Sequence, residues 1–453
     1  MTGLETSKLG QWCWAVFDGA RSPYNVLVNI FVFSAYFTTV VVPDPVQGQI
    51  LWSYANSLGA LLIAVGAPVL GAIADAGGRR KPWLFGCLCI GVPSMLVLWT
   101  ATPGMTHGIG WILAAIIGGV VFFEYTATFC NAMLPSIAPS SRIGFLSGMG
   151  FALGNFFGVI LFMFFLLAWS WNTHPWFGLD IGMHEPERAV GILSAVWLVI
   201  FSIPMFVFTP DTNATRLGFK VTLVSGLRRL AHTVTRVRDF RNVGLFLVAR
   251  MVFNEGFVVL MLYSGIYAAG VLHWTATTLI VQGLLNSVAA TLAGAFAGWL
   301  DTRIGSKRSV MVFVFGALLA NVIACSTSPD SIFFLHVAAS GITGSIYPTL
   351  PDRVFAGAQV ATAIFVTGGL SSSRAMMAQL SPPSMLNEFF GIYAMSGTAT
   401  SFLGPLAIGL LTFLFHSQRA GFASGIGFLL AGLLLFLLVK EAPLAEGGAV
   451  TRV

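Results

Sequence analysis

The sequence predicts an all-α membrane protein of twelve transmembrane helices in two pseudo-symmetric six-helix bundles. Three observations lead there. First, 56% of the 453 residues are hydrophobic and only 9% are charged, with a mean hydropathy of +0.85. Soluble domains carry about 25% charged residues, so a chain this poor in charge cannot clothe itself for water. Second, the basic residues segregate to alternate loops. Third, short motifs recur in the same order in the two halves.

A bilayer crossing needs roughly 20 mostly apolar residues, and the stretches that satisfy this give the elements in order. Span 1 (12–41) contains Asp18 and Arg21 and is too long for the apolar core of a signal peptide, so it is expected to remain as a span. Spans 2 (49–74) and 3 (82–102) flank a Gly-rich basic turn, and span 4 (108–137) carries Glu124. Span 5 (143–169) holds Gly144, Gly148, Gly150, Gly154 and Gly158, and small residues four apart let helices approach closely. Span 6 (189–209) completes an N-terminal bundle, 1–209.

The interval 210–241 places Leu223, Leu227, Leu230, Val234 and Val237 at helical spacing among basic residues. That pattern predicts a cytoplasmic linker with an amphipathic helix lying on the membrane. Spans 7 (242–270), 8 (275–300), 9 (308–326), 10 (355–379), 11 (389–415) and 12 (420–440) build the C-terminal bundle, 242–453. Between spans 9 and 10, residues 327–354 are interrupted by Pro329, Asp330, Pro348, Pro351, Asp352 and Arg353. Their apolar runs are too short to cross, which predicts an external insertion with a small hairpin.

The net charge is +6, and its placement explains it. With the N-terminus inside, Lys8, Arg79, Arg80, Lys81, Arg142, Arg303, Lys307, Arg308 and Lys440 fall on the cytoplasmic side, against Arg188, Arg353 and Arg419 outside. This is the bias that orients spans during insertion. It predicts a multi-pass protein of a bacterial inner (cell) membrane with both termini cytoplasmic, and no nucleic-acid partner. The five cysteines lie in spans without a Cys-x-x-Cys, as expected of buried free thiols.

The turn after span 2, Gly71-Ala-Ile-Ala-Asp75-Ala-Gly-Gly78-Arg79-Arg80-Lys81, has a counterpart after span 8, Gly298-Trp-Leu-Asp301-Thr-Arg303-Ile-Gly305-Ser-Lys307-Arg308. The interval from Arg142 to Gly158 matches that from Glu388 to Gly404 in length, and Val16-Phe17-Asp18 matches Val252-Phe253-Asn254. Such duplication is a recurrent transporter design, with the solute site between the repeats. These motifs resemble the major facilitator superfamily. The resemblance implies that fold, and a gating role for Asp75 at the start of span 11 near Glu388. Asp301 stands one position out of register with that pattern.

A closer resemblance lies in Trp14-Ala-Val-Phe17-Asp18-Gly-Ala-Arg21-Ser22-Pro-Tyr24, in Ala249-Arg250-Met-Val-Phe-Asn254-Glu255-Gly256, and in Glu388-Phe-Phe-Gly391-Ile-Tyr393 with Ser396-Gly397 and Gly404-Pro405. They are similar to the branch of fungal vacuolar amino-acid effluxers of autophagy and their bacterial relatives. The resemblance implies solute movement, with amino-acid export as the kin activity.

Candidate site residues follow from the cost of burying polar groups in hydrocarbon. Asp18, Ser22, Asn25 and Asn29 form one helical stripe on span 1; Glu124, Thr128 and Asn131 form another on span 4. Arg250, Asn254 and Glu255 mark span 7, and Thr367, Ser371 and Arg374 mark span 10. Four such stripes are most simply satisfied around a shared aqueous path. The acids and arginines can serve a solute and coupling protons, or only neutralise each other, as Asp18 with Arg21 or Glu124 with Arg374.

The expected partners are a small-molecule solute, protons and the lipid bilayer, with the protein a monomer. No cofactor is expected, no Gly-x-x-x-x-Gly-Lys-Ser/Thr is present, and no nucleophile–base spacing suggests an enzyme. His174 and His184 near Asp180, Glu185 and Glu187 are not expected to hold a metal. The favoured function is a secondary transporter of a small polar or zwitterionic solute. The alternatives are an exporter of amphipathic compounds (drug, lipid or siderophore) and a non-transporting receptor or scaffold.

Overall fold

Backbone amides find no partners in hydrocarbon, so helix is the structure that lets so apolar a chain satisfy them internally. The computed structural model describes residues 7–76, 79–172, 174–211, 240–337, 342, 344–381 and 386–440. Among them are twelve helices long and apolar enough to cross a membrane. They form two bundles of six. In the first, span 1 packs on spans 5 and 6, and span 4 on spans 2 and 3; in the second, span 10 packs on spans 8 and 9, and span 12 on spans 7 and 9. Between bundles, span 2 runs along span 11, span 1 meets span 7, and span 5 meets span 8. The expected linker helix within 210–241 and the 441–453 tail lie outside the described residues.

The even number of crossings puts the chain's start and end on one face, here the terminal face; there Asn242 exchanges hydrogen bonds with the backbone of Lys440. The other face is distal. Hydrogen bonds between the bundles, among the described residues, join Gln49 to Thr412 (2.8 Å) and Gln418, Gln418 to Pro45, Ser57 to Phe402, and Ser170 to Thr277. None lies on the terminal side of the Ser57 level. The bundles are therefore sewn together at the distal end.

The insertion between spans 9 and 10 is shorter than expected. Ser331–Ile332 pairs with Leu335–His336 in a minimal hairpin, the one sheet among the described residues. Helix resumes at Leu350, so Pro351, Asp352 and Arg353 belong to span 10 (Leu350–Leu380). The physical reason is a capping box: the Thr349 hydroxyl accepts the Asp352 N–H, and the Asp352 carboxylate accepts the Thr349 N–H. Pro351 fits the first turn, where its missing N–H costs nothing.

Three irregularities bear on function. After Pro23, which cannot supply a helical N–H, span 1 continues as a π-helix over Tyr24–Phe31. Span 5, α-helical over Ser140–Phe165, ends as another over Leu166–Ser170. Span 11 is broken into Leu386–Ala399 and Leu403–Phe415.

Candidate functional site

Where the bundles face each other at mid-depth, they enclose a cavity of about 400 Å³, within the range of small-molecule sites, roughly 300–1,000 Å³. Span 1 supplies Asp18, Arg21, Ser22 and Asn25; span 4 supplies Phe123; span 5 supplies Gly150 and Asn155. The opposite wall comes from spans 7 (Ser264), 8 (Asn286, Ser287, Thr291) and 10 (Gln359, Thr362, Thr367). Phe31 and Gly283 narrow it distally, where the Phe162 ring also packs against Gly283.

The formal charges in this wall are Asp18 and Arg21, which pair directly through Asp18 Oδ1 and Arg21 Nη2. Arg21 also donates Nη1–H to the Phe123 carbonyl oxygen at 3.0 Å and lies 5.2 Å from the Phe123 ring centroid. Span 5 fits closely behind them: a Cβ on Gly150 would stand 2.6 Å from Asp18 Oδ2, and one on Gly154 2.4 Å from Ser22 Oγ. Glycine at these positions is what allows span 1 to present its polar face. Gly148, by contrast, has open space beside it, and the side chain position at Gly144 lies outside the described residues.

Of the predicted candidates, Asp18, Arg21 and Asn25 line the cavity, together with Ser22 and Thr367 from the same stripes. Asn29 does not, because the π-helical stretch re-registers span 1; it is buried and its amide contacts Asn25. Glu124 follows Phe123 in sequence but forms no ion pair among the described residues. It forms no ion pair with Arg374, which is exposed and sits about 10 Å beyond the cavity-lining Thr367 along span 10, toward the terminal face. Asn254 and Ser371 are half-buried outside the lining.

Arg250 and Glu255 also stand away from the cavity and reach span 11 instead. Arg250 donates to the Tyr393 carbonyl oxygen (3.0 Å) and to Ser396 Oγ (2.7 Å); Glu255 Oε2 accepts the Gly404 N–H (2.9 Å).

The gating motif is partly visible. Gly71 lies in the helical end of span 2, while Gly78 and the side chains of Asp75 and Glu388 lie outside the described residues, so their contact is not described. Arg79 and Arg142 are exposed. The backbone N–H groups of Arg80 and Lys81 donate to the Asp211 carboxylate at 2.9 and 3.1 Å, an N-terminal cap for span 3. In the second copy, Gly305 takes φ of 84°, a turn that suits glycine. Next to it, Ser306 Oγ accepts from Gln379 Nε2. Asp301 Oδ1 is buried without a partner, Arg303 lies over Trp299, Lys307 is half-buried and Arg308 exposed.

Sequence reasoning missed Asn155, Asn286, Gln359, Thr362 and Asp211. The first four are uncharged, and attention to formal charge passed over them; amides inside apolar spans are the signal that finds Asn155, Asn286 and Gln359, and Thr362 carries no such signal. At the distal face, His184 of the His/acid group contacts Glu187 (3.6 Å) and its ring lies against Tyr36. The hydrogen bond that His184 donates to Glu187 raises the His184 pKa against the opposing effect of burial.

Residues 40–145 and 139–443 match the family profile described as "Vacuole effluxer Atg22 like". The chain is 25% identical to the uncharacterized MFS-type transporter YxiO of Bacillus subtilis (strain 168), covering 94% of each. It is 27% identical to autophagy-related protein 22 of Cryptococcus neoformans over 68% of this chain, and it spans about half the length of that fungal relative, 50%. In structure it resembles the nucleoside transporter NupG, with a TM-score of 0.65 at 12% identity over 95% of this chain and 100% of that one. That likeness speaks to the major facilitator fold.

Proposed function

The chain belongs to the Atg22-like vacuole effluxer family, and from that premise we propose that it moves a small polar or zwitterionic solute by alternating access through the mid-depth cavity. It is a multi-pass transporter of the major facilitator type. The observation that carries the finer reading is the cavity wall: one neutralised Asp18–Arg21 pair on span 1 faces uncharged amides and hydroxyls on spans 8 and 10. Such a wall has a dipole and no net charge. A solute with both charges, or with none and several hydroxyls, can meet it without leaving a buried charge unpaired.

The terminal face carries Lys8, Arg142, Lys307 and Lys440, which supports a cytoplasmic assignment for it. With the distal seam closed, this conformation is then the inward-facing one. Export is consistent with the family description. The apolar share of the wall (Val26, Ile30, Phe31, Leu260, Met261) keeps an amphipathic cargo as the second reading. A thermal-shift panel of amino acids, peptides, sugars and amphipathic drugs, at two pH values, separates the two, followed by flux of each hit in proteoliposomes. Stabilisation by amphipathic compounds alone refutes the polar-solute reading.

A further inference from the structure

Span 7 grips span 11 with two opposite charges, one on each side of its break. Tyr393 and Ser396, which receive Arg250, lie in the last turns of Leu386–Ala399, where unpaired carbonyls make the helix end negative. The Arg250 guanidinium also lies 3.7 Å from the Tyr393 ring centroid. Gly404, whose N–H donates to Glu255, begins Leu403–Phe415, where the helix end is positive. Glu255 touches the positive start of the second piece, and Arg250 lies within two turns of the negative end of the first.

Glu255 is 1% exposed, and its second oxygen, Oε1, has no hydrogen-bond partner; neither has Thr400 Oγ1, within the break itself. No ion pair neutralises Glu255 among the described residues. Arg250 is committed to Tyr393 and Ser396, and the Tyr393 hydroxyl to Ser373. Arg374 is exposed nearer the terminal face, where Asp301, Arg303, Lys307 and Arg308 also lie. Arg419, at the distal end, bonds Tyr267. Tyr24 and Tyr36 of span 1, Tyr263 of span 7 and Asp352 and Arg353 of span 10 make no bond to Glu255. The facing pieces Leu403–Phe415 and Ser424–Leu437 contain no ionisable residue. A carboxylate so enclosed is held by a single backbone donor, the Gly404 N–H, with the Thr400 hydroxyl as the polar group beside it.

We infer that Glu255 is a proton-binding site that switches this clamp. Ionised, it holds the second piece of span 11 against span 7. A proton taken from hydronium, which leaves water, forms an O–H bond at Oε1, turns that oxygen from one that can only accept from the Thr400 hydroxyl into a donor to it, and removes the charge that attracts the helix N-terminus. The piece thereby released carries Thr412, the partner of Gln49 in the distal seam. Proton occupancy at Glu255 is thus tied to opening of the distal face, a deepening that rests on the transporter reading for its role in flux.

The test uses the full chain in lipid nanodiscs and needs no solute. Infrared difference spectra on acidification should contain a carboxyl C=O band that is lost in Glu255→Gln and shifted in frequency, but kept, in Thr400→Val. Spin labels at Gln47→Cys and His416→Cys, with exposed Cys89 replaced by Ser, should move apart on acidification in the parent. In Glu255→Gln the distance should stay at its acid value at every pH. A band that survives Glu255→Gln, or an unchanged pH response of the distance, overturns the proposal. If Glu255→Gln fails to fold, an unshifted band in Thr400→Val overturns it alone. Because neither readout depends on flux, such a failure leaves the transporter reading standing, and a flux failure with an intact band strikes that reading only.

Discussion

Replacing Asp18 and Arg21 singly and together separates holding the fold from handling a solute. The pair is enclosed, with side-chain exposures of 17% for Asp18 and 9% for Arg21. Removing one member of a buried pair typically costs about 3–5 kcal/mol, because the survivor keeps its charge without a partner. Arg21 retains the Phe123 carbonyl oxygen and ring, and the cavity admits water, so Asp18→Asn is expected at the lower end, about 3 kcal/mol. Arg21→Met strands Asp18 and should cost a similar amount. The double variant strands neither, and its loss should fall to about 1 kcal/mol or less, giving a coupling energy of about 5 kcal/mol.

Unfolding midpoints in detergent report the stabilities, and solute flux in proteoliposomes reports the function. If the pair contacts solute, the double variant is stable yet loses at least tenfold in flux, ~1.4 kcal/mol. Parent-level flux in the double variant refutes the transport role. Single variants as stable as the parent refute the burial argument beneath it.

Further outcomes follow from other contacts. Gly150→Val drives a side chain into Asp18 and should destabilise by about 1–3 kcal/mol, seen as a lowered unfolding midpoint; Gly148→Val, with open space, should not. Gln49→Leu removes the seam bonds to Thr412 and Gln418 and should cost about 1–3 kcal/mol. It should also raise thiol-reagent labelling of a cysteine placed at Gln47; unchanged labelling counts against the seam. Asp211→Ala should cost about 0.5–2 kcal/mol through the lost cap of span 3, read by the same unfolding assay. His184, outside the membrane, has a pKa raised first by its hydrogen bond to Glu187. Its contribution to stability is therefore complete below the unfolded-state pKa and is lost as pH rises through the folded value. The pH dependence of the unfolding midpoint should flatten on this limb in Glu187→Gln; an unchanged profile rejects the assignment.

The spans were legible because hydrophobic length is a property of each segment alone. Their exact starts were less so: Thr349 and Asp352 begin span 10 through a local cap that hydropathy does not register. The site was half legible. Asp18, Ser22 and Asn25 stood out as polar residues at helical spacing and Arg21 as a charge within a span, and all four line one cavity. The π-helical stretch then broke that spacing, which is why Asn29 dropped from the wall. Arg250 and Glu255 carried the same signal of buried charge, yet they serve a broken partner helix, and nothing in span 7 announces a break in span 11. The amides Asn286 and Gln359 were missed because neutrality hid them.

The seam through Gln49, Thr412 and Gln418 has a practical corollary. A carrier must open and close at both ends, so any contact peculiar to one end stabilises one stage of the cycle at the expense of the other. Strengthening that seam would raise the melting temperature and at the same time slow turnover. Selecting variants of this chain for heat resistance alone would therefore enrich locked molecules.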